Sequence, residues 1–487
     1  MKKLYRATAA MGVSTVVAMG IGLVRAKFLA VTLGPSGLGI FSQAMTFFQS
    51  AEAICGLGIS MGITKYVSEM WQKQDISGVR NTMSVAITMQ ALCFFVFFIL
   101  TLIFSKTISQ FVFSSSEYSW LLVLVSGGVL FSIFVTTMEC TILGLARPGV
   151  FSKARILHYI LGLALLILFV GTMKLRGGFL YLAFNYALGF VIITLFLFRI
   201  LKTEAGLSFL RFVKKIRNVD FKFYAEKLFA YGAVVLLSSA LTGLTILYVR
   251  STLIRVSGVE ANGFYQVVFA LVGYYTPFFT NGIWGYLFPK LSGITNTRHF
   301  NLEINKAIRF ILIFLIPSIA VLFLAKKALI LVIFSKEFLP ALEIFPVYLL
   351  ASLFFMISYM LATALMAKKK LAAYFSIILS QYLLYALLFT VLVRQLGLMA
   401  VAISYLAMNT LASFALITYQ IKKMNFVFTK QNIILFAAGL VFILFILFVP
   451  LEPVASLILK GILVVCWFLF AIGKREKALF RSFVRAR

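Results

Sequence analysis

Charged residues are scarce in this chain of 487 residues. They make up 12% of it, against about 25% in an ordinary soluble domain. Hydrophobic residues make up 62%, and the mean hydropathy is +1.04. No stretch is polar enough to form a water-soluble domain of ordinary size. The composition therefore excludes a soluble globular protein and predicts a polytopic membrane protein.

Acidic residues are the rarer of the charged types, with 14 Asp and Glu against 45 Lys and Arg, for a formal net charge of +31. Such an excess can indicate nucleic-acid binding. Here, however, the basic residues lie mostly in short connections between apolar runs, and most fall on the side of the N-terminus if the helices alternate in direction. This is the pattern that the positive-inside rule describes. We therefore expect membrane lipids and no nucleic acid as partners, and both termini in the cytoplasm.

Groups that carry chemistry are few as well. The four cysteines lie inside apolar segments without CxxC or Cys/His spacing, so neither a disulfide framework nor a metal site is predicted. No GxxxxGK[ST] motif occurs, so we expect no ATP hydrolysis. No outer loop carries the acid or histidine pairs that a membrane glycan polymerase or ligase would need. We expect a transporter without catalytic residues or cofactor, driven by H⁺, Na⁺, the membrane potential or the substrate's own gradient.

Apolar runs long enough to cross a bilayer recur along the whole chain. A transmembrane helix needs about 20 apolar residues. This criterion predicts an all-α polytopic protein with about 14 transmembrane helices, at 8–31, 39–62, 82–105, 119–144, 156–173, 178–198, 228–249, 263–288, 308–325, 344–366, 371–393, 398–420, 431–449 and 454–473. Residues 326–343 contain an apolar run that Lys336, Glu337 and Pro340 interrupt, and an interfacial position remains open for them.

The first twelve helices contain an internal repeat. Gly178–Tyr186 (GFLYLAFNY) and Gly397–Tyr405 (GLMAVAISY) carry Gly, Ala and Tyr at the same offsets. Weaker matches keep the same order: Arg25, Gly39 and Lys65 pair with Arg250, Gly263 and Lys290, and Leu145–Arg147 with Met366–Lys368. An even number of spans per unit makes the two repeats parallel. We predict two parallel six-helix repeats around a central cleft, with two extra C-terminal helices.

These helices and the repeat predict five regions along the chain. They are an N-terminal six-helix lobe at 1–205, a cytoplasmic amphipathic linker at 206–227, a C-terminal six-helix lobe at 228–424, transmembrane helices 13 and 14 at 430–473, and a basic cytoplasmic tail at 474–487.

Two acids lie well inside predicted spans. Glu52 is midway along helix 2, and Glu139 is on the inner half of helix 4. A carboxylate at bilayer depth is costly and usually faces a cavity, a partner or water. Either acid could couple transport to H⁺ or Na⁺. A fixed ion pair with a neighbouring Lys or Arg explains them equally well.

Basic residues lie near the ends of the first two helices of each repeat. Arg25 and Arg250 are near the outer ends of helices 1 and 7, and Lys65 and Lys290 are at the inner ends of helices 2 and 8. If these helices line the cleft, the four side chains predict a site for an anionic headgroup. Snorkelling to the nearest interface is the alternative, and it applies to the lysines above all. Asn281 on helix 8 is a further candidate for a polar ligand, because Pro277 could kink this helix.

The stretch 25–69 resembles a known family. It contains RAKFLAVTLGPSGLGIFSQ and then GLGISMGITKYVSE, and these motifs resemble the polysaccharide (O-antigen and lipid III) flippases of the multidrug/oligosaccharidyl-lipid/polysaccharide exporter superfamily. The resemblance is specific over about the first 70 residues. Some relatives stop after twelve helices, so the last pair departs from their pattern.

The resemblance implies a function. It implies a flippase of the bacterial inner membrane that moves an undecaprenyl-diphosphate-linked oligosaccharide to the periplasmic leaflet by alternating access, with a glycan polymerase and a chain-length regulator as further partners. Arg25, Arg250, Lys65 and Lys290 would then attract the diphosphate. An ion-coupled exporter of small organic cations from the same superfamily is the alternative, although its cavity should be acidic rather than basic. A membrane glycan polymerase or ligase is a third class.

Overall fold

The computed structural model describes residues 2–205, 220–449, 460–467 and 471. Most of the predicted linker, all of the predicted tail and part of predicted helix 14 lie outside these residues. Every regular element in the described part is helical, which confirms the predicted all-α class. The α-helices are α1 (Lys2–Cys55), α2 (Ser60–Gln72), α3 (Ile76–Ile103), α4 (Ser105–Phe113), α5 (Ser119–Gly144), α6 (Pro148–Ala205), α7 (Phe221–Gly282), α8 (Phe288–Gly293), α9 (Thr297–Ile333), α10 (Phe345–Ala367), α11 (Leu371–Leu396), α12 (Met399–Met424) and α13 (Lys430–Phe448).

Three of these helices are too long to be single crossings. An uninterrupted helix of 54 residues would measure about 80 Å, more than twice the roughly 30 Å hydrocarbon core. Each instead contains one residue with non-helical torsions: Gly34 in α1 (φ 64°, ψ −176°), Lys174 in α6 (φ 50°, ψ −125°) and Gly258 in α7 (φ 87°, ψ 167°). Each long helix therefore comprises two segments joined at a kink, and these kinks fall between predicted spans.

Ten helices of the described residues are long and apolar enough to cross a membrane, and the three kinked helices are among them. The total of 14 spans stays a prediction. Several predicted boundaries were wrong. Predicted helix 2 breaks at residues 56–59, where Leu57 and Gly58 have positive φ. Predicted helix 9 extends over the whole of α9, and a 3₁₀ turn (Lys336–Leu342) follows it. The short helix α4 was not predicted at all.

The backbone supports the internal repeat. Positive φ values recur at Gly34 and Gly258, which are 224 residues apart, at Ala146 and Lys369, 223 apart, and at Lys174 and Gly397, also 223 apart. Such torsions are uncommon away from turns. Their common spacing places equivalent turns in the two halves. It also corrects the alignment of Gly178 with Gly397, which is four residues out of this register.

The chain divides into two compact units, which are Met1–Gly263 with Ile333–Ser335, and Phe264–Val332 with Lys336–Arg487. In unit 1, buried apolar side chains of α2, α3, α5 and α6 form a core around Ile63, Met83 and Ile142. Helices α5 and α6 approach closely at Gly128, where a Cβ atom would lie 2.9 Å from the Cα of Ala183. Asp75 caps α3 by accepting a hydrogen bond from the backbone N–H of Gly78 at 2.8 Å.

Unit 2 is organised around α10, most of whose side chains are buried. Helix α12 is joined to it by two side chains that donate to its backbone. Ser413 donates to the carbonyl oxygen of Phe354 at 2.9 Å, and Gln420 to that of Leu361 at 2.9 Å. Helix α13 is joined to α9 by Asn432, whose amide donates to the backbone carbonyl of Asn305 at 2.8 Å. These bonds satisfy buried polar groups that lipid could not.

Candidate functional site

Glu52 lies in the second segment of α1 and faces α5. Its Oε1 atom accepts a hydrogen bond from Ser132 at 2.5 Å, and the Thr136 hydroxyl also donates to this carboxylate. Ser132 and Thr136 are four residues apart, so they lie on one face of α5. Within the described part of the chain, no basic side chain forms an ion pair with Glu52. Neutral hydroxyls therefore hold this acid inside a predicted span.

Glu139 has a different environment, since it is paired with a cation. Its Oε1 atom lies 3.4 Å from Nε of Arg155 on α6. The guanidinium of Arg155 also lies over the rings of Phe151 and Tyr159, at 5.0 and 5.5 Å from their centroids. The ion pair that sequence reasoning left open is thus present for Glu139. The missed residue is Arg155, and the signal for it was the need of a buried acid for a counter-charge.

Arg25 joins the same region from α1. It interacts electrostatically with Tyr159 and Tyr186 of α6, and Glu52 also interacts with Tyr186. Glu52 and Glu139 are close enough to interact with each other. We call Arg25, Glu52, Glu139 and Arg155 the unit-1 polar cluster. It brings together three of the seven predicted site residues, from helices that are distant in sequence.

Arg250 lies in a different environment, with only 1% of its surface exposed. Its Nη1 atom donates to Ser42 Oγ and to Asn262 Oδ1, each at 3.0 Å. The Asn262 amide in turn donates to the carbonyl oxygen of Gly39 at 2.7 Å. These groups surround the place where the second segment of α1 meets α7. In this structure, therefore, the Arg250 guanidinium contacts protein and not an open cleft.

The lysine of α2 is exposed. Lys65 lies near Tyr66, with its Nζ atom 5.2 Å from the ring centroid. The same helix carries Glu69, which forms an ion pair with Lys73 at 2.8 Å. This hydrogen bond from Lys73 holds the pKa of Glu69 below its usual value, and the charge of Lys65 acts in the same direction. This end of α2 is therefore a solvated surface of mixed charge.

Two predicted residues lie in unit 2. Lys290 forms an ion pair with Glu303 at 2.7 Å and donates to the Tyr286 hydroxyl at 2.9 Å. Asn281 is exposed near the end of α7, and a π-helical turn (Ile283–Leu287) begins two residues later. Helix α7 stays helical through Pro277, so the irregularity lies beyond the predicted kink. π-helical turns of this kind are frequent at functional sites.

The described residues contain no group of three or more His, Cys, Asp or Glu side chains that could hold a metal ion. The four cysteines are free thiols. His158 shares a hydrogen bond of 3.0 Å with the backbone carbonyl of Asn185, as expected of a packing residue.

Solved structures share this fold. The lipid II flippase MurJ in an inward closed conformation matches with a TM-score of 0.67 and 16% identity, over 99% of this chain and 100% of that one. A multidrug resistance transporter of the MATE family, from the MOP superfamily, matches in its inward-facing conformation with a TM-score of 0.65 and 13% identity, over 85% of this chain and 94% of the other. At these identities the likeness establishes the fold alone.

Sequence comparison narrows the family. The lipid III flippases of Escherichia coli (strain K12) and of Shigella flexneri are each 24% identical over 399 residues, which cover 81% of this chain and 92% of theirs. The profile of the family described as "Polysaccharide biosynthesis protein" matches residues 4–295, which is more than half of the chain. The predicted resemblance to polysaccharide flippases is thereby confirmed, and the chain belongs to the polysaccharide biosynthesis protein family.

Proposed function

We propose that this chain is a flippase that moves an undecaprenyl-diphosphate-linked oligosaccharide, an O-antigen repeat unit or a similar surface-glycan precursor, to the periplasmic leaflet. The observation that carries the proposal is the match over 92% of the length of the lipid III flippases. The family match and the shared transporter fold support it. The protein would reside in the bacterial inner membrane with both termini in the cytoplasm, as the distribution of basic residues predicts.

The basic residues would bind the diphosphate in two ways. Arg25 is half-buried and Lys65 is exposed, so both can meet a ligand in this conformation. Lys290 would exchange its ion pair with Glu303 for the phosphate, and Asn281 would contact the polar part of the substrate. Arg250 would reach a phosphate only when the contact between α1 and α7 opens. Alternating access would supply such an opening, so the buried Arg250 is compatible with a role in a single stage of transport.

Glu52 is the stronger candidate for ion coupling. A carboxylate that only hydroxyl groups hold can take up H⁺ or Na⁺ without first breaking an ion pair, whereas Glu139 would have to release Arg155. Exchange of an ion for the lipid-linked glycan would make the protein an antiporter. A glycan polymerase and a chain-length regulator would then act on the product in the outer leaflet.

The test is transport by the purified chain in liposomes with a lipid-linked oligosaccharide in one leaflet. We expect the glycan to become accessible to an added glycosidase or lectin on the other side, without new glycosidic bonds. Formation of such bonds would indicate a polymerase or ligase. Export of small organic cations without glycan movement would support the multidrug alternative and contradict the proposal.

A further inference from the structure

An open cavity of about 600 Å³ lies beside helix α4, within the usual range of small-molecule sites, roughly 300–1,000 Å³. Its lining residues belong to unit 1 and take no part in the polar cluster. They are Lys106, Thr107, Gln110, Phe111, Ser116 and Arg255. We call it the α4 cavity.

The polar side chains of the α4 cavity form no hydrogen bond with the part of the chain that the structure describes. Glu117 follows Ser116 directly, but across the same residues it forms no ion pair with Lys106 or Arg255. An ammonium group, a guanidinium, an amide and two hydroxyls therefore have donors available for a ligand. The two full positive charges favour an anion.

The cavity lies where a membrane-spanning surface ends. Helix α3 exposes a row of apolar side chains whose last members are Ile103 and Phe104, 68% and 51% exposed, and Lys106 follows two residues later. The 28 residues of α3 measure about 42 Å, more than the roughly 30 Å hydrocarbon core, so its ends reach the headgroup region. Arg255 precedes the kink of α7 at Gly258 by three residues. The cavity is thus placed at the depth of lipid phosphates.

We propose that the α4 cavity binds the phosphate group of a membrane lipid. Lys106 supplies a point charge, and Arg255 supplies a planar fork that can donate two parallel hydrogen bonds to phosphate oxygens. Gln110 and the hydroxyls of Thr107 and Ser116 donate to the remaining oxygens. Phe111 is exposed beside these donors and packs against the apolar part of the same lipid.

Two lipids offer this chemistry, a polyprenyl diphosphate and an anionic phospholipid. On the topology proposed above, the cavity faces the periplasmic leaflet, and to this extent the inference rests on the proposed function. A diphosphate held there would be the anchor of a glycan that has just been translocated. A phospholipid held there would compete with it for the site.

The experiment reads the cavity locally. A photo-crosslinking benzophenone amino acid replaces Phe111 in the full chain, which is purified in nanodiscs that contain undecaprenyl diphosphate or phosphatidylglycerol in phosphatidylcholine. Mass spectrometry identifies the lipid attached. The double substitution Lys106→Gln and Arg255→Gln should reduce attachment of the phosphate lipid about tenfold, since it removes two charge-assisted contacts. The matched control is Arg176→Gln, which removes an exposed cation outside the cavity and should change nothing.

A loss confined to undecaprenyl diphosphate would support the inference and identify the ligand as the translocated lipid. A loss for both lipids would support it with bulk phospholipid as the source. Equal attachment before and after the double substitution, with both proteins folded by thermal unfolding, would overturn it. Attachment of phosphatidylglycerol requires no transport, so a chain that binds lipid here but does not move glycan would contradict the proposed function alone.

Discussion

Buried charges in this protein are stabilised in four different ways. Glu52 receives hydrogen bonds from hydroxyls, Glu139 is paired with Arg155, and Arg250 donates to Ser42 and Asn262. Lys460 donates to the backbone carbonyls of Ile446 and Val449, at 3.0 and 3.1 Å, near the end of α13. Each solution supplies in protein what water supplies in solution. The differences decide which charges are free to change partner.

The prediction at this scale concerns Glu52. Glu52→Gln keeps the side-chain volume and the ability to accept from Ser132, but removes the acid that would take up H⁺ or Na⁺. We expect glycan transport to lose its response to a pH or Na⁺ gradient, with a rate lowered about tenfold, or 1.4 kcal/mol. The measurement is transport in liposomes with and without each gradient.

Two further variants serve as controls for that experiment. Glu69→Gln removes an exposed acid and should leave coupling unchanged. Glu139→Gln should act through stability, because it leaves Arg155 without its partner. Gradient-dependent transport that persists in Glu52→Gln would show that this carboxylate does not couple the ion.

At the scale of elements, small residues decide how closely helices approach. Near the kinks of α1 and α7, a Cβ atom on Gly39 would lie 2.2 Å from the carbonyl oxygen of Val259, and one on Gly263 would lie 2.2 Å from that of Pro35. The two helices therefore meet backbone to backbone. By contrast, Gly58 and Gly62 do not form the continuous helix face that their GxxxG spacing predicts, because Gly58 lies in the turn before α2.

We expect Gly39→Ala to destabilise the protein by roughly 1–3 kcal/mol, because the added methyl group must push two backbones apart. A lower unfolding temperature in detergent would show the effect. Gly273→Ala is the matched control, since a Cβ there meets no atom within 4 Å and alanine favours helix by up to about 1 kcal/mol. If Gly39→Ala unfolds at the same temperature as the wild type, the close approach does not contribute to stability.

At the scale of the whole molecule, the two halves share a backbone plan but not an electrostatic one. The turn positions recur at a spacing of 223 to 224 residues. The arginines that sequence alignment makes equivalent do not share an environment, since Arg25 lies beside tyrosines of α6 and Arg250 is enclosed between α1 and α7. Duplication preserved the path of the chain, and the polar groups diverged.

This difference predicts two phenotypes. Arg25→Ala should abolish complementation of a deletion strain while leaving the unfolding temperature unchanged. Arg250→Ala should lower both, because it leaves the buried Ser42 and Asn262 oxygens without a donor, at a cost of about 1–3 kcal/mol. Lysine at position 25 should rescue transport in part, since it keeps the charge and loses the fork. Full complementation by Arg25→Ala would contradict its role in binding substrate.

The sequence determined by itself the class of protein, most spans and the two acids that warrant attention. These depend on local properties, because a membrane helix satisfies its backbone hydrogen bonds within one segment and needs only sufficient apolar length. The kink at Gly34 could be expected for the same reason, since it lies in the LGPSGLG stretch between two apolar runs. The helix break at residues 56–59 and the helix α4 could not, as the apolar run continues through the first and is weak in the second.

Only the tertiary structure decided which partner each charge has. Glu52 meets Ser132 across 80 residues and Arg250 meets Ser42 across 208. No periodicity or composition encodes such pairs, because they arise when segments distant in sequence pack side by side. The same residue types were therefore visible beforehand, whereas the pairing of Glu139 with a cation and of Glu52 with hydroxyls followed from packing alone.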